Sequence, residues 1–209
     1  MQTNRIRKMI KEANTIERQT GNLRSALENL SQLRGVHLNS EQMKGVIQFI
    51  QQYVDHAPAM LDQIASVANE AGIYNQIEHI LDAAVQYFLA PEDLIPDHLG
   101  LLGLVDDAYL THCLVQALSD NFQEQTGNSL VPSDLTKANM FVRGLIGEPH
   151  ASMLDQAVMA TINGPTIQQS MMNLFQAGSM FNMQGPDPIW GNASINEVVD
   201  ARLGAMGVV

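Results

Sequence analysis

The sequence predicts an all-α protein, a multi-helix bundle around one central helical hairpin, and three observations carry that expectation. Aromatic residues make up 5% of the chain while methionine reaches 12 copies. With abundant Ala, Leu and Gln, this favours straight-chain helix formers over the β-branched and aromatic residues of sheets. Apolar positions step by three and four over long stretches, and Gly, Pro, Asn or Asp stands where each stretch stops. At 209 residues with 45% apolar content, the chain can bury a real core.

The first helix is predicted from about Asn4 to Leu33. Ile6, Met9, Ala13, Ile16, Thr20, Leu23, Leu27 and Leu30 form an a/d seam, with Thr20 off pattern and Gly21 a weak point beside it. A long seam wants a partner helix, whether from another copy, another protein or the rest of this chain. Asn39 with Gln42 has the form of a capping box opening a helix from Ser40 to His56. Pro58 should end it, with a further helix from Ala59 to Glu70 closing at Gly72. Next come helices over about Tyr74–Leu89 and Asp106–Gln123, one capped by Ser133 or Asp134 and running to Ile146, and shorter ones over His150–Ile162 and Thr166–Ala177. The stretch Gly185–Asn192 reads as an extended linker, and Ser194 with Glu197 caps a last helix to about Leu203. The chain thus divides into a heptad-patterned, coiled-coil-like helix over 1–34, a helical body over 35–184, and a Pro-containing linker with a short helix over 185–209.

Charge is distributed unevenly. Seven of the 11 Lys and Arg fall in the first 34 residues against three acids there, so that segment is +4 within a chain of net −11, and the remainder is −15. A body this acidic repels phosphate backbones, which argues against nucleic acid as a partner outside the N-terminal arm. The lone Cys113 excludes an internal disulfide and reads as an inert buried thiol. No apolar core follows the basic residues at the N-terminus, so no secretory signal is expected and a cytoplasmic address follows. From Gln156 to Pro186 the chain carries no formal charge, but Asn163, Gly164, Pro165, Gln168, Gln169 and Asn173 make a membrane span too costly. Seven of the 12 methionines lie between Met140 and Met183. They suit core packing or an adaptable partner-binding surface.

Chemistry, if any, belongs between the two central helices. Residues 90–107, APEDLIPDHLGLLGLVDD, set four aspartates and two prolines around an apolar run. The run must tuck against the hairpin, which takes backbone out of water and leaves N–H groups needing acceptors. In one reading the acids are structural: Asp93 caps the turn at Leu94, Asp106 caps the following helix, and Asp107 sits in its first turn near the positive end of the dipole. Pro91, Pro96 and Gly103 then shape the loop. In the competing reading Asp93, Asp97, Asp106 and Asp107 converge with His98 or His112 on a divalent cation such as Mg²⁺ or Ca²⁺. A weaker constellation, Glu78, His79 and Asp82 facing His112 and Cys113, lacks the Glu-x-x-His spacing of di-iron bundles.

Pro91, Asp93, Leu94, Ile95, Pro96 and Asp97, followed by Gly103, Asp106 and Asp107, follow the pattern P-x-D-L-I-P-D, a glycine-bearing spacer, then G-x-x-D-D. This resembles the signature of the YkvA-like domain family, a bacterial domain of unknown function (1232), over about residues 82–117. The resemblance implies a helical hairpin with a tight acidic loop, found in varied protein contexts and sometimes near membranes, and brings no established activity.

The expected function is that of a non-catalytic interaction protein. It would assemble with itself or another protein through Ile6, Met9, Ile16, Leu23, Leu27 and Leu30, with Trp190 as an anchor from the tail. One alternative is a divalent-metal-dependent enzyme or sensor built on the four aspartates. Another is peripheral membrane attachment through the basic arm and the apolar loop. No cofactor beyond the divalent cation is expected.

Overall fold

The computed structural model describes residues 2–90, 95–131 and 134–163. Among these it forms seven α-helices and no strand: α1 (Thr3–Thr20), α2 (Asn22–Leu33), α3 (Ser40–Glu70), α4 (Tyr74–Phe88), α5 (Val105–Thr126), α6 (Thr136–Ile146) and α7 (His150–Ile162), with a 3₁₀ segment over Asp97–Leu104. The all-α bundle is therefore the fold. The helices expected over Thr166–Ala177 and Ser194–Leu203, and Trp190, lie outside the described residues. No described helix is long and apolar enough to cross a membrane.

The long N-terminal helix is two helices. Gly21 adopts the left-handed conformation (φ 64°, ψ 30°) and ends α1, its N–H donating to the Glu17 carbonyl at 2.8 Å. Because Gly21 has no side chain to cap α2, the buried Glu17 carboxylate does so instead. It accepts from the Leu23 N–H at 2.9 Å and the Arg24 N–H at 3.4 Å. Replacing Glu17 with Ala is expected to cost about 1–2 kcal/mol, read as an earlier urea midpoint. An unchanged midpoint would show that these amides find other acceptors.

The seam that this corner bends is spent largely on the chain's own body. Ile6, Ile10, Ala13, Leu23 and Leu27 are buried in one core that runs on to Ile162, while Met9 is half-buried against it. Ile16 and Leu30 are also half-buried. The partner of the N-terminal seam is thus the 3₁₀ segment and α3 of the same chain. Helices α1 and α3 run antiparallel. Thr3 Oγ1 donates to Asp62 at 2.8 Å, as does Arg7, while eleven residues earlier on α3 Gln51 donates to Asn14 at 3.1 Å.

Pro58 does not break α3, contrary to the sequence expectation. Asn39 and Gln42 form the capping box that opens this helix, and it continues through the proline to Glu70. An interior proline costs about 3 kcal/mol. Val54, Leu61 and Ile64 around it are fully buried, and burying a large aliphatic side chain contributes about 1.5–3 kcal/mol each. Tertiary burial outweighs the local penalty. His56, expected at a helix end, consequently stands buried inside the helix.

Helix α5 is the centre of the bundle, packed by α3, α4, α6, α7 and the 3₁₀ segment. Every residue from Gly103 to His112 is buried. A helix covered on all sides has no polar face, so Asp106, Asp107, Thr111 and His112 are carried into the core with their apolar neighbours.

Candidate functional site

The connection from α4 to α5 is a pair of 3₁₀ turns meeting at Gly100, which is left-handed (φ 73°, ψ −133°). A Cβ there would lie 2.9 Å from Ile16 Cγ2 and 3.1 Å from the Ala13 carbonyl oxygen. At Gly103 the space is tighter: a Cβ would sit 2.5 Å from the Pro96 carbonyl oxygen and 2.8 Å from the Asp97 Cα. The segment therefore folds back on its own start and is pressed by α1 from outside. Asn22 Nδ2 donates to the Leu99 carbonyl at 3.1 Å and fastens α2 to the same loop. Leu101, Leu104 and Val105 end up buried. The basic N-terminal segment covers the greasy crossover.

Both aspartates at the start of α5 are fully buried, at 0% exposure. The helix begins at Val105 with Leu104 as its cap residue, so Asp106 is not the cap that its spacing suggested. The 3₁₀ turn runs directly into the helix and leaves no non-helical position for a capping side chain. Asp106 and Asp107 instead fill the first turn, and Asp106 Oδ2 accepts the Ile95 N–H across the loop at 3.2 Å. Burial pushes the Asp106 carboxyl up to about 6; amides of Ile95, Asp106 and Asp107 oppose the shift, and the Asp97 charge adds to it. Pro96 stands exposed at the start of the 3₁₀ turn, where its carbonyl accepts the Leu99 N–H at 3.0 Å. Pro91 and Asp93 lie outside the described residues.

The histidines do not join the aspartates. His98 is exposed. His112 stands six residues past Asp106, about 9 Å along the helix, and faces α3. Its ring lies edge-on to Tyr53 at 4.1 Å between centroids and 5.8 Å from His56. Neither nitrogen of its ring has a hydrogen-bond partner among the described residues. Tyr53 meanwhile donates to Asn139 at 2.7 Å. Burial drives both imidazoles toward the neutral form, His56 to about 4 and His112 well below its ordinary value. Glu78 and Asp82 are exposed and His79 is half-buried on α4. Among the described residues, no group of three or more His, Cys, Asp or Glu side chains is placed to hold a metal ion.

A polar clamp that the sequence did not reveal joins α5, α6 and α7. Tyr109 donates to Asp155 at 2.6 Å, and Arg143 donates to the other oxygen of Asp155 at 2.9 Å and to Glu148 at 2.8 Å. Beside it, burial pushes the Cys113 thiol up to about 12, which keeps it protonated and unreactive. No local spacing announces this set, because its members are brought together from three helices.

The surface features lie elsewhere. Two apolar grooves, of about 140 and 210 Å³, flank α2, and Leu27, Leu30 and Leu145 line both. A larger polar groove of about 620 Å³ runs between α1 and α3.

No curated protein and no solved structure matches the chain. The segment from residue 80 to residue 112, which holds the end of α4, the glycine-hinged crossover and the first turns of α5, matches the family described as Protein of unknown function (DUF1232).

Proposed function

We propose that the chain is a non-catalytic helical interaction module that docks an amphipathic helix of a partner protein along α2. The observation that carries this reading is the exposure of α2 as a ridge between two apolar grooves, with Leu33 86% and Met140 67% exposed beside them. Large aliphatic side chains in that position are the anchors of helix-in-groove recognition. The occupant follows from charge. No acid lines either groove, and the charged lining side chain is Arg34, whose guanidinium donates to the Gly144 carbonyl at 2.7 Å. The segment to which α2 belongs is +4. An apolar helix with acidic flanks is the complement.

Titration with two synthetic amphipathic helices, one of Leu and Glu and one of Leu and Lys, tests the reading. The Leu/Glu peptide should saturate and shift the methyl resonances of Leu30, Leu33 and Met140. The double change Leu33→Ser, Met140→Ser should weaken it by about tenfold or more, without loss of stability because both side chains are already in water. Equal binding by the doubly substituted protein, or a preference for the Leu/Lys peptide, would refute it.

A further inference from the structure

The polar groove has no part in that reading. It lies between the antiparallel α1 and α3 and takes Arg7, Lys11, Asn14 and Arg18 from one wall and Gln51 and Asp55 from the other. Ile10 and Pro58, both buried, supply an apolar floor. Positions 7, 11, 14 and 18 recur on one helix face, so part of the cation excess of the N-terminal segment is gathered into one concave site. Arg7 is engaged by Asp62 at 2.8 Å. Lys11 and Arg18 have no ion-pair partner among the described residues. They stand seven residues apart, about 10 Å along the axis, a span that a long lysine and a long arginine side chain close from either end onto one tetrahedral oxyanion.

The opposite wall adds a second requirement. Gln51 Nε2 donates to Asn14 Oδ1 at 3.1 Å and ties the two walls together, with the Asp55 carboxyl beside them in the same groove. That bond occupies the Asn14 carbonyl, and the Asp55 carboxylate and the Gln51 carbonyl are left as acceptors on this wall. A bare phosphate dianion meets the Asp55 charge and is disfavoured. An ester whose alcohol carries a further hydroxyl satisfies both walls, because the hydroxyl donates where the phosphate would be repelled.

We propose that this groove binds the phosphate ester of a small polyol, its phosphate held by Lys11 and Arg18 and a hydroxyl donated to Asp55. The same chemistry is presented by a soluble ester such as glycerol 3-phosphate and by a phosphatidylglycerol headgroup. Calorimetric titration of the full chain with glycerol 3-phosphate should saturate, and inorganic phosphate should bind more weakly. Lys11→Gln with Arg18→Gln should raise the Kd about tenfold or more, whereas Lys8→Gln, which removes one charge from the same helix outside the groove, should leave it unchanged. Asp55→Asn should narrow the preference for the ester over inorganic phosphate. All these side chains are exposed, and unchanged urea midpoints would confirm that folding is intact.

Flotation with vesicles separates the sources. Flotation with phosphatidylglycerol but not phosphatidylcholine, lost in the Lys11→Gln, Arg18→Gln protein, assigns the site to a lipid headgroup. Saturable binding of glycerol 3-phosphate without flotation assigns it to a soluble ester. Absence of both, or equal losses from Lys8→Gln and from the groove variants, would overturn the proposal.

Discussion

Gly103→Ala is expected to cost on the order of 3–5 kcal/mol, enough to leave a domain of ordinary stability largely unfolded. The added methyl would meet the Pro96 carbonyl oxygen at 2.5 Å and the Asp97 Cα at 2.8 Å. Both are backbone atoms, so no side chain can swing away. The loop cannot retreat either, since α1 closes over it at Gly100 and Asn22 holds Leu99. Close packing of this kind passes strain on to its neighbours. Gly45→Ala is the control with the opposite sign. That glycine lies inside α3 with nothing within 4 Å of its would-be Cβ, and the change should stabilise by about 0.5–1 kcal/mol. Urea unfolding followed by circular dichroism reads both. A Gly103→Ala midpoint equal to that of the unsubstituted protein would mean that the crossover does not fold back on itself.

The same loop shows how much was legible in the chain and where legibility ended. Signals that act over one turn carried through: the Asn39–Gln42 capping box is present, and α7 spans His150–Ile162 as its pattern predicts. Punctuation by Gly and Pro was ambiguous because its meaning depends on what packs alongside. Gly21 ended a helix that its heptads would have continued, and Pro58 failed to end one that local rules would have stopped. The aspartates were readable in kind and not in detail. An acid was expected to meet an amide of the crossover, and Asp106 meets Ile95, yet its place within the first turn depended on a 3₁₀ turn that no periodicity foretold. Glu17 was recoverable, being an acid four residues before a glycine that can offer no cap. The grooves beside α2 were not. They exist because α2 and the end of α6 face each other across them, where Arg34 reaches a carbonyl 110 residues further along the chain, and no window on the sequence spans that distance.

Stability should climb as pH rises from about 4 to 6.5, and Asp106→Asn should steepen the climb. Asp106 and the histidine pair titrate in that interval with opposite sign. The folded Asp106 carboxyl is raised to about 6 from an ordinary 3.8, so between those values the folded state holds the extra proton and stability falls with rising pH. His56 is lowered to about 4 from 6.5, and His112 is lowered well below it. In that range the unfolded state holds the extra protons, and stability rises with pH. Two imidazoles outweigh one carboxyl. Each uncompensated proton contributes about 1.4 kcal/mol per pH unit. An asparagine at 106 keeps an oxygen for the Ile95 N–H and removes the buried charge. Above pH 6.5 it should therefore stabilise by up to about 3 kcal/mol, the free energy that corresponds to raising a carboxyl from 3.8 to about 6. At pH 4 it should change little. His112→Phe should do the reverse on the acid side. It fills a site edge-on to Tyr53 without needing partners for ring nitrogens that have none among the described residues, and it should flatten the acid limb by one proton's worth. Urea unfolding at pH 4, 5, 6 and 7 on the three proteins decides the matter. If Asp106→Asn destabilises at pH 7, the carboxylate charge is being used by the fold, and the view of Asp106 as a buried acceptor carried at a cost must be given up.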